Sequence, residues 1–159
     1  MEYLIAKWLH VLSSTILFGT GIGTAFYIFD CARTAEASIV AAVMRHAVIA
    51  DWLFTATTMV LQPLTGFYLT RLLHMPWTTP WIAWSFALYL VAGLCWLPVV
   101  WLQIRMRDLA LEAAKRRMPL PAQFWRLRRV WVVLGVPALF AFLAIFYLMI
   151  AKPAWAGVQ

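Results

Sequence analysis

Charged side chains are scarce in this sequence. Only 12% of the 159 residues are Asp, Glu, Lys or Arg, whereas 65% are hydrophobic and ten are tryptophan. In soluble globular domains roughly a quarter of all residues are charged. The composition therefore excludes an ordinary soluble domain and predicts an integral membrane protein.

Acidic residues are especially few, six against 13 lysines and arginines, and the net charge is +7. In a soluble domain such an excess would suggest nucleic-acid binding. Here most of the basic residues lie together between two apolar segments, which is typical of a cytoplasmic membrane loop. We therefore expect no nucleic-acid partner, and we expect this loop to contact anionic lipid headgroups.

The sequence also lacks paired cysteines and a signal-peptide pattern. Cys31 and Cys95 have no C-x-x-C spacing, so neither a disulfide nor a zinc site is indicated. No basic segment precedes the first apolar run, which is longer than the ~7–15 residues of a signal-peptide core. We expect this run to be a retained helix.

Four long apolar segments are present, at about residues 3–29, 46–73, 81–104 and 130–151. Each exceeds the ~20 residues that cross a bilayer, and none alternates with a period of two as a barrel strand does. We predict an all-α fold, with residues 1–159 forming one integral membrane four-helix bundle. The third helix is expected to continue into the cytoplasm to about residue 117, ahead of Pro119 and Pro121.

Lysine and arginine are distributed unevenly between the connections. Only Lys7, Arg71 and Lys152 belong to one side. The other side carries Arg33 and Arg45 in the first connection and, in or beside the third, Arg105, Arg107, Lys115, Arg116, Arg117, Arg126, Arg128 and Arg129. The positive-inside rule therefore predicts a multi-pass protein of the bacterial inner membrane with both termini on the periplasmic side.

The first helix carries polar residues where lipid tolerates them poorly. Lys7, His10, Ser14 and Gly21 are spaced three, four and seven apart, which places them along one stripe of a helix. Polar side chains followed by a small residue along one stripe of a membrane helix are expected to face the other helices of the bundle.

His10 is the main candidate for function. A neutral imidazole at this depth can ligate haem iron or another metal, or relay protons, whereas a structural histidine needs only a partner such as Ser14. Both interpretations stay open. Lys7 either extends to the membrane surface or binds an anionic group such as a haem propionate.

The other two histidines differ in their position relative to His10. His46 begins the second helix at the cytoplasmic face, so most of the ~30 Å core separates it from His10 and the two cannot share one iron. His74 lies in the outer loop, on the same side as His10. It is the remaining candidate for a second metal ligand, or it is simply solvated.

Asp51 places a carboxyl group within the second helix. A buried carboxylate is costly unless it is neutralised or paired. We favour an ion pair with Arg45, Arg105 or Arg129, which belong to the same membrane side, and a proton relay is the alternative.

Gln62 precedes Pro63 in the middle of the same helix. Proline frees the carbonyl group four residues back, and the glutamine amide can satisfy that carbonyl or bind a ligand. Together with Gly66, these residues predict an interruption of the helix and a candidate pocket wall.

Four segments resemble a known family: residues 50–54 (ADWLF), 62–66 (QPLTG), 79–81 (TPW) and 96–108 (WLPVVWLQIRMRD). They are similar to the bacterial integral membrane proteins grouped as domain of unknown function 2269, and the resemblance covers essentially the whole chain. It implies a four-helix inner-membrane protein and specifies no activity.

A more distant resemblance is to the HemJ-type protoporphyrinogen oxidases and the copper-resistance D-like membrane proteins. Residues 7–10 (KWLH) stand where the HemJ type has a lysine, two apolar residues and a histidine that is a proposed haem ligand. The HemJ type also has a histidine and a lysine near the start of its third helix, where this chain has residues 81–84 (WIAW). The resemblance therefore implies haem b on His10 and does not extend to porphyrinogen oxidation.

We therefore expect a haem-b-binding redox protein that exchanges electrons with a quinone or a porphyrin-like substrate. His10 is the expected axial ligand, Lys7 lies near a propionate, and Ser14, Gly21 and Gln62 line the site. The alternative is a cofactor-free bundle that acts as a structural or accessory subunit, or as a small homo-oligomeric transporter.

Overall fold

A computed structural model of the chain describes residues 1–153, which form four long helices and no strand. The helices are α1 (Glu2–Thr34), α2 (Ala37–Leu72), α3 (Pro80–Lys115) and α4 (Ala122–Ala151). Each is long and apolar enough to cross a membrane, so the prediction of an all-α fold with four spans is confirmed. Residues 154–159 of the predicted domain lie outside the described residues.

The helices extend further than expected at one end of the bundle. We call this the basic end; it holds the α1–α2 turn at residues 35–36 and the α3–α4 connection at residues 116–121. The segment 30–45, expected to be a loop, is nearly all helical, because α2 begins at Ala37 and not at His46. Ala35 has a positive φ of 55° at the turn. The alanine-rich start of α2 favours helix.

The third connection is also shorter than expected. α3 ends at Lys115, close to the predicted end of its extension. α4 begins at Ala122 and not at Val130, directly after Pro121, which is compatible with a helix start because proline has no amide hydrogen to leave unpaired. The helices therefore continue beyond their most apolar segments.

A hydrophobic cluster holds the four helices together at the basic end. Its five largest fully buried side chains come from all four helices: Ile28, Val40, Met44, Met106 and Phe124. Toward the opposite end most large apolar side chains are exposed, as expected of helices that face lipid. We call this opposite end the terminal end, since it holds Met1 and Pro153. There the Lys152 Nζ at the end of α4 lies 5.6 Å from the ring centre of Trp81 at the start of α3.

The irregular part of α2 is not where the sequence predicts it. The helix remains regular through Pro63, and residues Asp51–Thr55 form a π-helical turn instead. Pro63 removes the amide donor for the carbonyl of Met59, four residues back. Tyr89 of α3 donates its hydroxyl hydrogen to that carbonyl oxygen, so a neighbouring helix replaces the missing bond.

Candidate functional site

His10 lies half-buried where α1 packs against α2, on the terminal side of the bundle. Its ring Nδ1 is 2.8 Å from the hydroxyl oxygen of Thr65. Gln62 donates from Nε2 to the His10 backbone carbonyl at 2.8 Å and to Ser13 Oγ at 2.7 Å. Four polar residues therefore join the two helices, and the predicted association of His10 with Gln62 is present.

The hydroxyl group of Thr65 determines which ring nitrogen of His10 carries the hydrogen. The Thr65 hydroxyl has one hydrogen. We assign this hydrogen to the bond with the Leu61 carbonyl oxygen at 2.7 Å, and the Gln62 carbonyl oxygen lies further away at 3.2 Å. Toward His10 the oxygen can then only accept. We assign the hydrogen of the neutral ring to Nδ1, which leaves Nε2 with a free lone pair.

Gly66 allows the backbone of α2 to approach the His10 ring. A Cβ atom at this position would lie 3.3 Å from His10 Cε1 and 3.9 Å from Nδ1. The first of these distances is tighter than ordinary van der Waals contact. Glycine therefore leaves room for the imidazole at this level of the helix pair.

Two members of this site, Ser13 and Thr65, are absent from the sequence prediction, which includes Gly66 only as part of the helix interruption expected at Pro63. A signal for them exists, because Thr65 and Gly66 follow Gln62 by three and four residues and so share its helical face. Ser13 follows His10 by three residues in the same way.

Three predicted site residues do not join His10. Lys7 is exposed and lies 5.6 Å from the ring centre of Tyr3. Ser14 donates to the carbonyl of Val11 in its own helix. Gly21 is exposed, and an added Cβ would meet nothing within 4 Å.

The buried positions of α1 next to His10 are Ala6, Ser13 and Leu17, so α1 is rotated relative to the predicted stripe.

His74 lies just beyond the end of α2 and is exposed. Its φ is 52°, and its amide donates to the Arg71 carbonyl at 3.2 Å while the next amide donates to Thr70 at 3.0 Å. Such a left-handed residue ends a helix by capping its last carbonyls. His74 therefore has a helix-capping role that the sequence did not predict. Within residues 1–153 no cluster of three or more His, Cys, Asp or Glu side chains is present.

Asp51 is buried, with a relative exposure of 4%. The predicted ion pair is not formed within the described part of the chain, because Arg45, Arg105 and Arg129 are all exposed. Thr55 instead donates its hydroxyl hydrogen to Asp51 Oδ1 at 3.1 Å. Long basic side chains keep their charge hydrated at the surface, since desolvating a guanidinium costs more than a distant pair recovers.

A shallow groove opens between α1 and α2 near the terminal end. It has a volume of about 300 Å³ and is lined mainly by apolar side chains of Ile5, Ala6, Leu9, Leu64 and Tyr68. Thr65, the hydrogen-bonding partner of His10, forms part of its wall. The groove is open on one side and does not enclose a ligand.

The comparison with known proteins agrees with this architecture. A family model described as predicted integral membrane protein (DUF2269) matches residues 4–153. The chain belongs to this family. No curated protein and no solved structure matches this DUF2269 member, and its likeness to the HemJ type and to the copper-resistance D-like proteins stays a prediction.

Membership of DUF2269 and the four candidate spans establish an integral membrane protein. The site in this DUF2269 chain offers one imidazole nitrogen with a free lone pair, beside an apolar groove and held by hydrogen bonds to α2. Such a nitrogen can ligate a metal or accept a hydrogen bond or a proton.

Proposed function

We propose that this DUF2269 member is a haem-b-binding redox protein of the bacterial inner membrane, with His10 as the axial ligand. The observation that carries the proposal is the hydrogen bond between His10 Nδ1 and Thr65 Oγ1, at 2.8 Å. Haem and metal ligation by histidine uses a neutral ring whose second nitrogen donates a hydrogen bond to a neighbouring group. The tautomer assigned to His10 meets this requirement.

The residues around His10 fit one axial ligand and part of a haem environment. Gln62 and Ser13 hold the backbone next to the histidine, and the groove beside Thr65 is apolar. Lys7 lies one helical turn nearer the terminal end, exposed, where it would meet a propionate group. Gly21 lies about three turns away along α1, so it is not part of the site that we propose.

When bound, haem would supply one-electron transfer, and a quinone or a porphyrin-like molecule would be the electron partner. The chain's own residues orient the imidazole through Thr65, restrain α1 through Gln62, and shield one edge of the ring with Gly66. His10 would be the one ligand that this network supplies to haem, because residues 1–153 of a single chain place no second histidine in it.

The visible absorption spectrum of the purified protein tests the proposal. The protein is expressed with haem supplied and purified in mild detergent. We expect a Soret band that is lost in His10→Ala and retained in His46→Ala and His74→Ala, because those two side chains are exposed and lie outside the network. A colourless, folded wild-type preparation would overturn the haem proposal.

Thr65→Val refines this test. The valine cannot accept the Nδ1 hydrogen, so the tautomer with a free Nε2 is no longer favoured. We expect weaker haem retention with little change in helix content. Thr57→Val is the matched control, because Thr57 is an exposed threonine of the same helix that bonds only to carbonyls within its own helix.

A second candidate function has a specific observation in its favour. The hydrogen bonds among His10, Ser13, Gln62 and Thr65 join α1 to α2 without any ligand. We propose as the alternative a cofactor-free structural or accessory subunit, or a small homo-oligomeric transporter. It predicts a colourless protein in which His10→Ala lowers the free energy of unfolding and leaves the spectrum unchanged.

A further inference from the structure

Asp51 is the one buried acid of this chain. The sequence has six acidic residues, and the structure describes all of them. The other five are exposed: Glu2, Asp30, Glu36, Asp108 and Glu112. Asp51 is 4% exposed and lies in the π-helical turn of α2.

Two oxygen atoms at this position have no hydrogen-bonding partner. Asp51 Oδ2 and Gln103 Oε1 are both buried and unpaired. The Gln103 side chain, itself 3% exposed, is a hydrogen-bonding neighbour of the Asp51 carboxyl from α3. Thr55 donates its hydrogen to the other carboxylate oxygen, Oδ1. The unpaired oxygens are acceptors, and a buried acceptor without a donor is costly.

A proton on Asp51 resolves this shortage of donors. A protonated carboxyl group has one O–H donor, whereas a carboxylate has none. Placed on Oδ2, the hydrogen gives that oxygen a donor function and removes the buried negative charge. A bound metal ion would need several further oxygen ligands, whereas a proton needs only the oxygen that carries it.

The groups that face Asp51 are neutral. The side chains that act on its carboxyl are Thr55 of α2 and Gln103 of α3. α1 also packs against the π-helical turn, and it has no charged residue between His10 and Asp30. Arg45 and His46 of α2 and Arg105 of α3, the nearest basic residues along the two helices, are exposed. Among the described residues no basic side chain therefore neutralises a charge on Asp51, and only neutral hydrogen-bonding groups face it.

The π-helical turn is a second, independent indication of a site. Such turns are rare, occur mostly as single wide turns within α-helices, and are frequent at functional sites. In α2 the wide turn begins at Asp51 and ends at Thr55, the two residues joined by the hydroxyl–carboxyl hydrogen bond.

We propose that Asp51, Thr55 and Gln103 form a proton-binding site within the membrane-spanning part of the bundle. The carboxylate takes up one proton from water to form the neutral acid, and it releases the same proton when the site is opened to water. Thr55 hydrogen-bonds Oδ1, and Gln103 lies beside the carboxyl as a neutral polar group. This inference goes beyond the haem proposal and does not depend on it.

Infrared spectroscopy of the wild-type protein in lipid membranes tests the proposal. The spectrum is recorded at neutral pH and again at alkaline pH. We expect one carbonyl-stretching band of a protonated carboxylic acid, which moves to lower frequency in D₂O and is lost reversibly at alkaline pH. Labelling with ¹³C-aspartate moves this band and labelling with ¹³C-glutamate does not.

Two variants assign the band. Asp51→Asn should abolish it, and Asp108→Asn should leave it unchanged, because Asp108 is exposed and pairs with Arg107 at 2.8 Å. Gln103→Leu keeps Asp51 and its hydrogen bond with Thr55 but removes the polar neighbour of the carboxyl, so it should shift the frequency of the band. The proposal is overturned if no aspartate band of a protonated acid appears at neutral pH, or if sodium ions abolish the band at constant pH.

Discussion

Two glycines in the helices of this chain differ in the space around them. A Cβ atom on Gly66 would lie 3.3 Å from His10 Cε1, whereas one on Gly21 would meet nothing within 4 Å. Alanine is the better helix former by ~0.5–1 kcal/mol, so the same substitution gains helix stability at both positions. Only at Gly66 does the methyl group press on the candidate ligand.

We expect Gly66→Ala to lower the free energy of unfolding by about 1 kcal/mol, because overpacking costs ~1–3 kcal/mol and the helix gain offsets part of that cost. Gly21→Ala should raise it by ~0.5–1 kcal/mol. Reversible unfolding in mixed micelles, followed by circular dichroism, measures both. Equal changes for the two variants would show that the His10 ring does not pack against α2 as described.

At the scale of helices, Pro63 and Tyr89 form a compensating pair across α2 and α3. The proline removes the amide that would bond the Met59 carbonyl, and the Tyr89 hydroxyl replaces that amide. A buried carbonyl left without a donor costs ~1–3 kcal/mol. The contribution of Tyr89 therefore depends on the proline in the neighbouring helix.

We expect Tyr89→Phe to lower the free energy of unfolding by about 1 kcal/mol in the natural background. In a Pro63→Ala background the same substitution should cost close to nothing, because the alanine amide then bonds the Met59 carbonyl. A double-mutant cycle measures the difference.

Tyr68→Phe is the control for this cycle, since Tyr68 is an exposed tyrosine of α2. Its cost should be small and the same in both backgrounds. A cost of Tyr89→Phe that is independent of residue 63 would contradict the assignment.

Over the whole molecule, packing is uneven between the two ends of the bundle. The basic end has an apolar cluster from all four helices. The terminal end is held by the His10 network and by the hydrogen bond from the Tyr89 hydroxyl to the Met59 carbonyl. Ring contacts add to these, such as that of Phe18 with Phe146, whose ring centres are 5.2 Å apart. In lipid the hydrophobic effect does not drive the helices together at this end, because lipid tails are as apolar as the side chains. Ligands and lipids therefore have easier access near His10 than near Phe124.

The orientation of the whole bundle follows from its charge and can be measured. Met1 and Pro153 lie at the terminal end and the basic connections lie at the other, so the positive-inside rule predicts a cytoplasmic basic end. We expect Met118→Cys, at an exposed position of the α3–α4 connection, to resist a membrane-impermeant thiol reagent in intact cells. The same reagent should label His74→Cys, at the exposed terminal end. The reverse pattern would invert the topology.

The sequence by itself determined the class of fold and the location in a membrane. Segments of more than ~20 apolar residues must satisfy their backbone hydrogen bonds internally, and a helix does this within one segment. The sequence also predicted that His10 and Gln62 belong to one candidate site, because polar groups within membrane spans favour positions inside the bundle. The helix ends were misplaced at the basic end, since helices that leave the bilayer are no longer marked by hydropathy.

Only the tertiary structure decided which face of α1 meets α2. From His10, steps of three and four residues lead equally well to Ser13 and Leu17 or to Ser14 and Gly21, so spacing alone allows either stripe. The partner helix selects the first, because Gln62, Thr65 and Gly66 offer two hydrogen-bonding side chains and a space for the ring. The surroundings of Asp51 were decided in the same way, because Gln103 reaches it only once α2 and α3 pack together.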